Sequence, residues 1–336
     1  MKIFNVPIES LEERYSAQWN KWFPEQFNLH GIAYETIYPD TLTDKIKDGS
    51  FLDVCGTNYF KAGQLKILTE KLYHREIKDG DVVFFHDLWF PGIEMLQYIR
   101  QGIGLKFKIC GILHAGTYDP YDFLSKKGMG SWGEHIENAW FDFIDEIYVA
   151  TEFHKFLLTK RMIDRNKIIV TGLPIYFDRP VCWSQKENIV VFPHRLDSEK
   201  QPELFDKLAN EFKNSGWQFI KSKDVCKTKK EYLNLLHQSK IAVSFAKQET
   251  WGIAQQEALF AGCFPVVPNR LSYQEMYSER FQYNSFSDAV LLVAKLMRPS
   301  EEDYVVLELN KTKPRLSGSL AIPRMINLMM TLGAEE

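Results

Sequence analysis

Short runs of β-branched and aromatic residues, separated by longer stretches of helical period, constrain this chain more than any other feature. Lys2 to Val6, Asp81 to Phe85, Phe107 to Leu113, Glu146 to Ala150 and Lys167 to Thr171 read as strands, with helices at Tyr59 to Arg75 and Ile93 to Gln101 between them. Strands alternating with helices make βαβ units, and those build a parallel sheet. The rhythm lapses after Gly172-Leu173-Pro174, where Ile175 to Glu187 carries Pro180 and little periodicity and reads as a linker. It resumes with strands at Asn188 to Phe192, Trp217 to Ile220, Ile241 to Phe245 and Phe264 to Val267. Helices fall between them, from about Gln201 to Ser215, Lys229 to Gln238 and Gly252 to Ala261. The reading is an α/β chain of two Rossmann-like domains, residues 1–174 and 175–318, with a C-terminal helix in 319–336 that can pack back on the first domain. Two open parallel sheets facing a central cleft present the carboxyl ends of their strands there, where α/β sheets bind ligands.

Composition fits this division and removes several function classes. The 336 residues suit two domains. Forty-one Lys and Arg against 44 Asp and Glu leave a net charge of −3, which excludes an overall basic field drawing the chain to nucleic acid or anionic lipid. Local basic stretches, His154 to Lys167 and Lys221 to Lys230, read as solvated helix faces or as phosphate contacts. The 5 cysteines are scattered and never form a C-x-x-C pair, so neither a disulfide framework nor a zinc site is suggested. No signal-like or membrane-length apolar run is found, and a cytoplasmic protein is expected.

The segment that speaks most of chemistry runs from Ser244 through Glu249, Trp251, Gly252 and Glu257 to Gly262 and Pro265. It lies between two expected strands. Gly252 lets the backbone approach a ligand as the next helix opens, and the free amides and positive dipole end of a helix start suit a diphosphate. Glu249 falls at the helix mouth and Glu257 about a turn and a half into the helix, so two carboxylates can grip hydroxyls at separate parts of one ligand.

This segment, with its E-x7-E spacing, its glycines and its flanking strands, resembles the signature of retaining GT-B glycosyltransferases of the GT4 type. The resemblance implies a nucleotide-diphosphate sugar, UDP- or GDP-linked, as co-substrate, with no permanently bound cofactor and no metal. It implies that Glu249 contacts the donor sugar, Glu257 the ribose, and Trp251, Gly252 and Ile253 the sugar and diphosphate. Val190 to Leu204, with Arg195, Glu199 and Lys200, is similar to the family's phosphate-binding element, which gives Arg195 and Lys200 the departing diphosphate; Pro193 and His194 stand where the family has glycine. A guanidinium and an ammonium there neutralise leaving-group charge. His114 ends a buried-type strand, where family members often carry a His near the transferred sugar. The implied catalytic set is His114, Glu249, Arg195 and Lys200.

The acceptor side is read from position alone. His86 and Asp87 end another strand, and Asp87 is equally readable as the cap of the following turn. Asp119 and Asp122 lie close enough in sequence to His114 for an acid-base role, or are satisfied loop carboxylates. The first loop lacks the family's paired glycines, so Arg14, Tyr15 or Gln18 can meet an acceptor there. Trp19, Trp22 and Phe23 at helical spacing read as core rather than as a sugar platform. The acceptor is unidentified, hydroxymethylated bases of phage DNA being one candidate. The alternatives are a sugar-nucleotide epimerase of the same fold, which needs no acceptor, and a non-catalytic nucleotide-binding protein.

Overall fold

Continuous apolar runs such as Val82 to Phe85 and Val190 to Phe192 are buried throughout, as strands covered by helices on both faces must be. The computed structural model describes residues 1–10, 16–42, 53–161, 163–175, 183–316 and 320–334. In chain order the first part comprises β1 (Ile3–Val6), α1 (Ser16–Leu29), β2 (Tyr34–Thr36), α2 (Val54–Tyr73), β3 (Val82–Phe85) and α3 (Ile93–Gly102). It continues with β4 (Lys108–Ile112), α4 (Phe123–Lys126), α5 (Gly130–Phe143), β5 (Glu146–Val149), α6 (Glu152–Thr159) and β6 (Ile168–Val170). The second part holds β7 (Glu187–Phe192), α7 (Pro202–Glu211), β8 (Gln218–Lys221), α8 (Ser222–Val225), α9 (Lys229–Gln238) and β9 (Ser239–Val243). After them come α10 (Ile253–Phe260), β10 (Phe264–Pro268), α11 (Tyr273–Met276), β11 (Gln282–Tyr283), α12 (Phe286–Leu296) and α13 (Glu302–Leu316), and the chain closes with α14 (Ala321–Ala334).

Two compact units result, Met1–Pro174 with Leu320–Glu336, and Ile175–Ser319. The first carries a 6-stranded sheet in the order β2-β1-β3-β4-β5-β6 and the second a 5-stranded sheet in the order β11-β10-β9-β7-β8. Every pairing is parallel. Helix α14 packs on α1, β3 and β4 within the first unit. No described helix is long and apolar enough to cross a membrane.

In each sheet the chain steps from its first strand to one side and then returns to the other. The switch points lie between β1 and β3 in the first unit and between β7 and β9 in the second. At such a point the loops leaving the carboxyl ends of the two strands diverge and open a crevice, the position where open α/β sheets hold ligands. The loops after β7 and β9 are those that carry Arg195, Lys200 and Glu249.

Three buried histidines make both units sensitive to acid. His86, His154 and His194 have pKa values pushed from 6.5 down to about 3 by burial, reinforced at His194 by the Lys200 and Arg195 charges. In the unfolded chain each titrates near its ordinary value, so below about pH 6.5 the unfolded state takes up protons that the folded state refuses, and stability falls with pH. At about pH 5 each such ring costs up to about 2 kcal/mol. Urea titrations at about pH 7 and about pH 5 are expected to show both units weakened in acid; equal midpoints would show that these rings are not held neutral.

Candidate active site

The second unit's switch point is organised by one buried ion pair. Lys200, at 6% exposure, sends its Nζ to the Glu249 carboxylate at 3.1 Å and to the Gln248 carbonyl at 2.6 Å. Burial works to raise the Glu249 pKa, but the Lys200 charge and the donating Gly252 amide outweigh it and hold the carboxyl below its ordinary value. The Lys247 amide donates to the Glu199 carbonyl at 2.7 Å and so ties the β9 loop to the β7 loop. Arg195 sits between Asp197 at 3.0 Å and Glu199 at 2.9 Å. Arg270 donates to the carbonyls of Phe245 at 2.9 Å and Ala246 at 3.1 Å, fixing the start of the same loop.

Helix α10 begins immediately beyond. Its N-cap is Gly252, at φ 68 and ψ 46, and no side chain caps the terminus. An uncapped helix start leaves its first amides and the positive end of the helix dipole open to an anion. Only glycine fits the cap, because the backbone is left-handed and an added Cβ would stand 2.9 Å from the Tyr273 ring. Gly252→Ala is therefore expected to lower the stability of this unit by roughly 1–2 kcal/mol from backbone strain alone, read as a shift of its urea midpoint; an unshifted midpoint would mean that the loop relaxes freely.

Trp251 is 9% exposed and its indole Nε1 lacks a partner among the described residues. Ile253 opens α10 and Glu257 stands one turn later at 6% exposure. The Glu257 carboxylate is held by the Lys229 ammonium. His194, which departs from the family pattern, is a buried ring packed edge-on to Phe192 and joined to Gln255 at 3.2 Å.

In the first unit His114 Nε2 lies 2.8 Å from the His86 carbonyl. A carbonyl only accepts, so this nitrogen carries the proton, and in the neutral ring the lone pair is on Nδ1. Burial lowers the His114 pKa against the opposing pull of Asp87, which favours that neutral ring. Trp19 stacks on it, centroids 5.4 Å apart. Trp19 and Phe23 are both fully buried, as core residues.

His86 stands on sequence among the acceptor-side candidates, and its ring is buried in the first unit. Its ring has 0% exposure, lies against Trp19, Phe23 and Phe84, and has Nε2 2.8 Å from Asn5 Oδ1. It shapes the site through its carbonyl on His114. Asp87 caps the next turn by accepting from the Trp89 amide at 3.1 Å, and it also pairs with Lys61 at 3.1 Å. Asp119 accepts from the Tyr121 amide and Asp122 from the Leu124 amide, each at 2.9 Å, and burial raises the Asp122 pKa to about 6. Gln18 is exposed on α1, whereas Arg14 and Tyr15 lie outside the described residues.

Other charges noted on sequence are engaged by the protein itself. Arg161 pairs with Glu137 at 3.1 Å and Lys221 with Asp206 at 2.8 Å. The first unit contains a D-x-D triplet, Asp79-Gly80-Asp81. It precedes β3, at the opposite end of the strand from His86, and its carboxylates accept from the amides of Lys106 at 2.6 Å, Lys2 at 2.7 Å and Lys78 at 2.9 Å.

No protein-family profile matches this chain. A stretch of 57 residues, 17% of the chain, is 42% identical to a tRNA-queuosine alpha-mannosyltransferase of Drosophila melanogaster and spans only 15% of that relative's length. Among solved structures, sucrose-phosphate synthase from Thermosynechococcus elongatus superposes over 99% of both chains with a TM-score of 0.69 and 11% identity. A point mutant of S. aureus TarM, in complex with fondaparinux, alpha-GlcNAc-glycerol and UDP, superposes with a TM-score of 0.55 and 14% identity over 81% of this chain. The chain spans 59% of that protein's length. The chain has the GT-B fold.

Within the GT-B architecture the structure brings Arg195, Lys200, Glu249, Gly252, Ile253 and Glu257 to one unit, and places His114, Asp87 and Asp119 in the other. Lys229, Tyr232 and Tyr273 escape a reading of the sequence. Lys229 enters there only as a helix start and as part of a basic stretch, and nothing in spacing ties it to Glu257.

Proposed function

We propose that this GT-B protein is a retaining, metal-independent glycosyltransferase of the GT4 type. It moves a hexosyl or pentosyl group from a UDP- or GDP-linked donor to an acceptor hydroxyl. The observation that carries the reading is the buried Lys200–Glu249 pair beside the uncapped start of α10, at a sheet switch point. In this reading the diphosphate lies at the helix start, where Lys200 and Arg195 neutralise the charge of the leaving group. Glu249 holds sugar hydroxyls, Glu257 the ribose, and Trp251, Gly252 and Ile253 line the path between them. His114 is read as a catalytic residue for the transferred sugar. A departing phosphate oxygen takes the acceptor proton, so no separate base is required. Asp87, Asp119 and Gln18, with Arg14 and Tyr15, belong to the acceptor side.

A second reading concerns the acceptor. The local identity to an enzyme named for tRNA queuosine favours a hydroxyl on a modified tRNA nucleoside, ahead of hydroxymethylated DNA bases. Incubation with a panel of UDP- and GDP-sugars, alone and with queuosine-containing tRNA or hydroxymethylated DNA, tests both. Acceptor-dependent nucleotide release and an α-linked product are expected. Conversion of donor without acceptor would favour an epimerase, and affinity without turnover a binding protein.

A further inference from the structure

We propose that Lys229 is the positioning residue that makes the donor site select ribose. This rests on the donor-binding reading above and extends it to a residue outside the sequence signature. Lys229 is the first residue of α9, whose N-terminus is fixed by a capping box between Thr228 and Glu231. Its ammonium bonds the Glu257 carboxylate and lies 4.6 Å from the centroid of the Tyr232 ring. Tyr232 lies beside Glu257, and desolvation next to that carboxylate pushes the phenol pKa up, so the hydroxyl keeps its proton. The Glu257 side chain is 8% exposed and that of Lys229 20%.

A glutamate has three rotatable side-chain bonds, and a lone one would swing away from a neutral diol. Here the Lys229 ammonium on α9 holds the carboxylate in one orientation, from which its two oxygens can accept paired hydroxyls. The α8–α9 connection follows β8, so Lys229 reaches Glu257 from the same carboxyl edge of the sheet that carries Lys200 and Glu249. With Lys229 removed, the Glu257 carboxylate loses the contact that orients it, and the distinction between ribose and deoxyribose goes with it.

The test compares dissociation constants of UDP and GDP with those of their 2′-deoxy forms, by calorimetry. Wild type is expected to prefer the ribonucleotide by about tenfold or more, the scale of a hydrogen bond to a charged group. Lys229→Met is expected to reduce that preference to within about threefold, and Lys229→Arg to restore most of it. A purely structural Lys229 would lower thermal stability and leave the ratio intact. Should Lys229→Met fail to fold, Lys229→Gln is read in the same way, with a loss of preference again expected. An undiminished ratio in a folded variant, or no preference in wild type, overturns the role of Lys229 while the donor site stands. No binding of either diphosphate to wild type overturns the donor-site reading itself.

Discussion

Glu249→Ala and Lys200→Ala are each expected to lower sugar transfer by roughly two to three decades, the usual cost of removing a contact made to charge developing in the transition state. The two variants should differ in stability. Lys200→Ala leaves a carboxylate, 16% exposed, without its cation, while Glu249→Ala leaves an ammonium still bonded to the Gln248 carbonyl. Breaking a buried pair from one side is worse than removing both charges, so the double variant should be more stable than Lys200→Ala alone while remaining equally inactive. Folded single variants that turn over at near wild-type rates would contradict the assignment.

Glu137→Ala is expected to produce the largest loss of stability in the first unit. Glu137 is 1% exposed and accepts from Trp89 Nε1 at 3.0 Å, the Thr117 amide at 2.8 Å, the Thr117 hydroxyl at 2.5 Å and Arg161 at 3.1 Å. Trp89 follows β3 and Thr117 follows β4, so one carboxylate on α5 fastens the two loops that carry Asp87 and His114. Truncation leaves a nearly buried guanidinium and several donors unmet, at a cost of roughly 3–5 kcal/mol. Urea unfolding of the purified variant measures it. A change below about 1 kcal/mol would mean that water replaces the carboxylate, as at a surface pair.

The parallel sheets were legible because strands buried on both faces are unbroken apolar runs, and because helix starts carry local signals. Helix α9 begins where Thr228 and Glu231 form their capping box, two side chains visible in any window of the sequence. Helix α2 begins at Val54, earlier than periodicity alone suggests, because Asp53 caps it by accepting from the Gly56 amide. Strands β2 and β11 escape notice, being 3 and 2 residues long and too short to show a period. At the site, Glu249 and Glu257 are legible together because one helix start spaces them. Interactions between distant segments are not. The contact of the His86 ring with Asn5, 81 positions away, and that of Lys229 with Glu257, 28 positions away, leave no trace in local spacing.

The central claim is most directly tested by a crystal structure of the protein grown with UDP or GDP. The diphosphate should lie at the start of α10 within hydrogen-bonding reach of Lys200, with the ribose hydroxyls on Glu257. A nucleotide bound elsewhere, with Lys200 and Glu249 still paired only to each other and to Gln248, would contradict it.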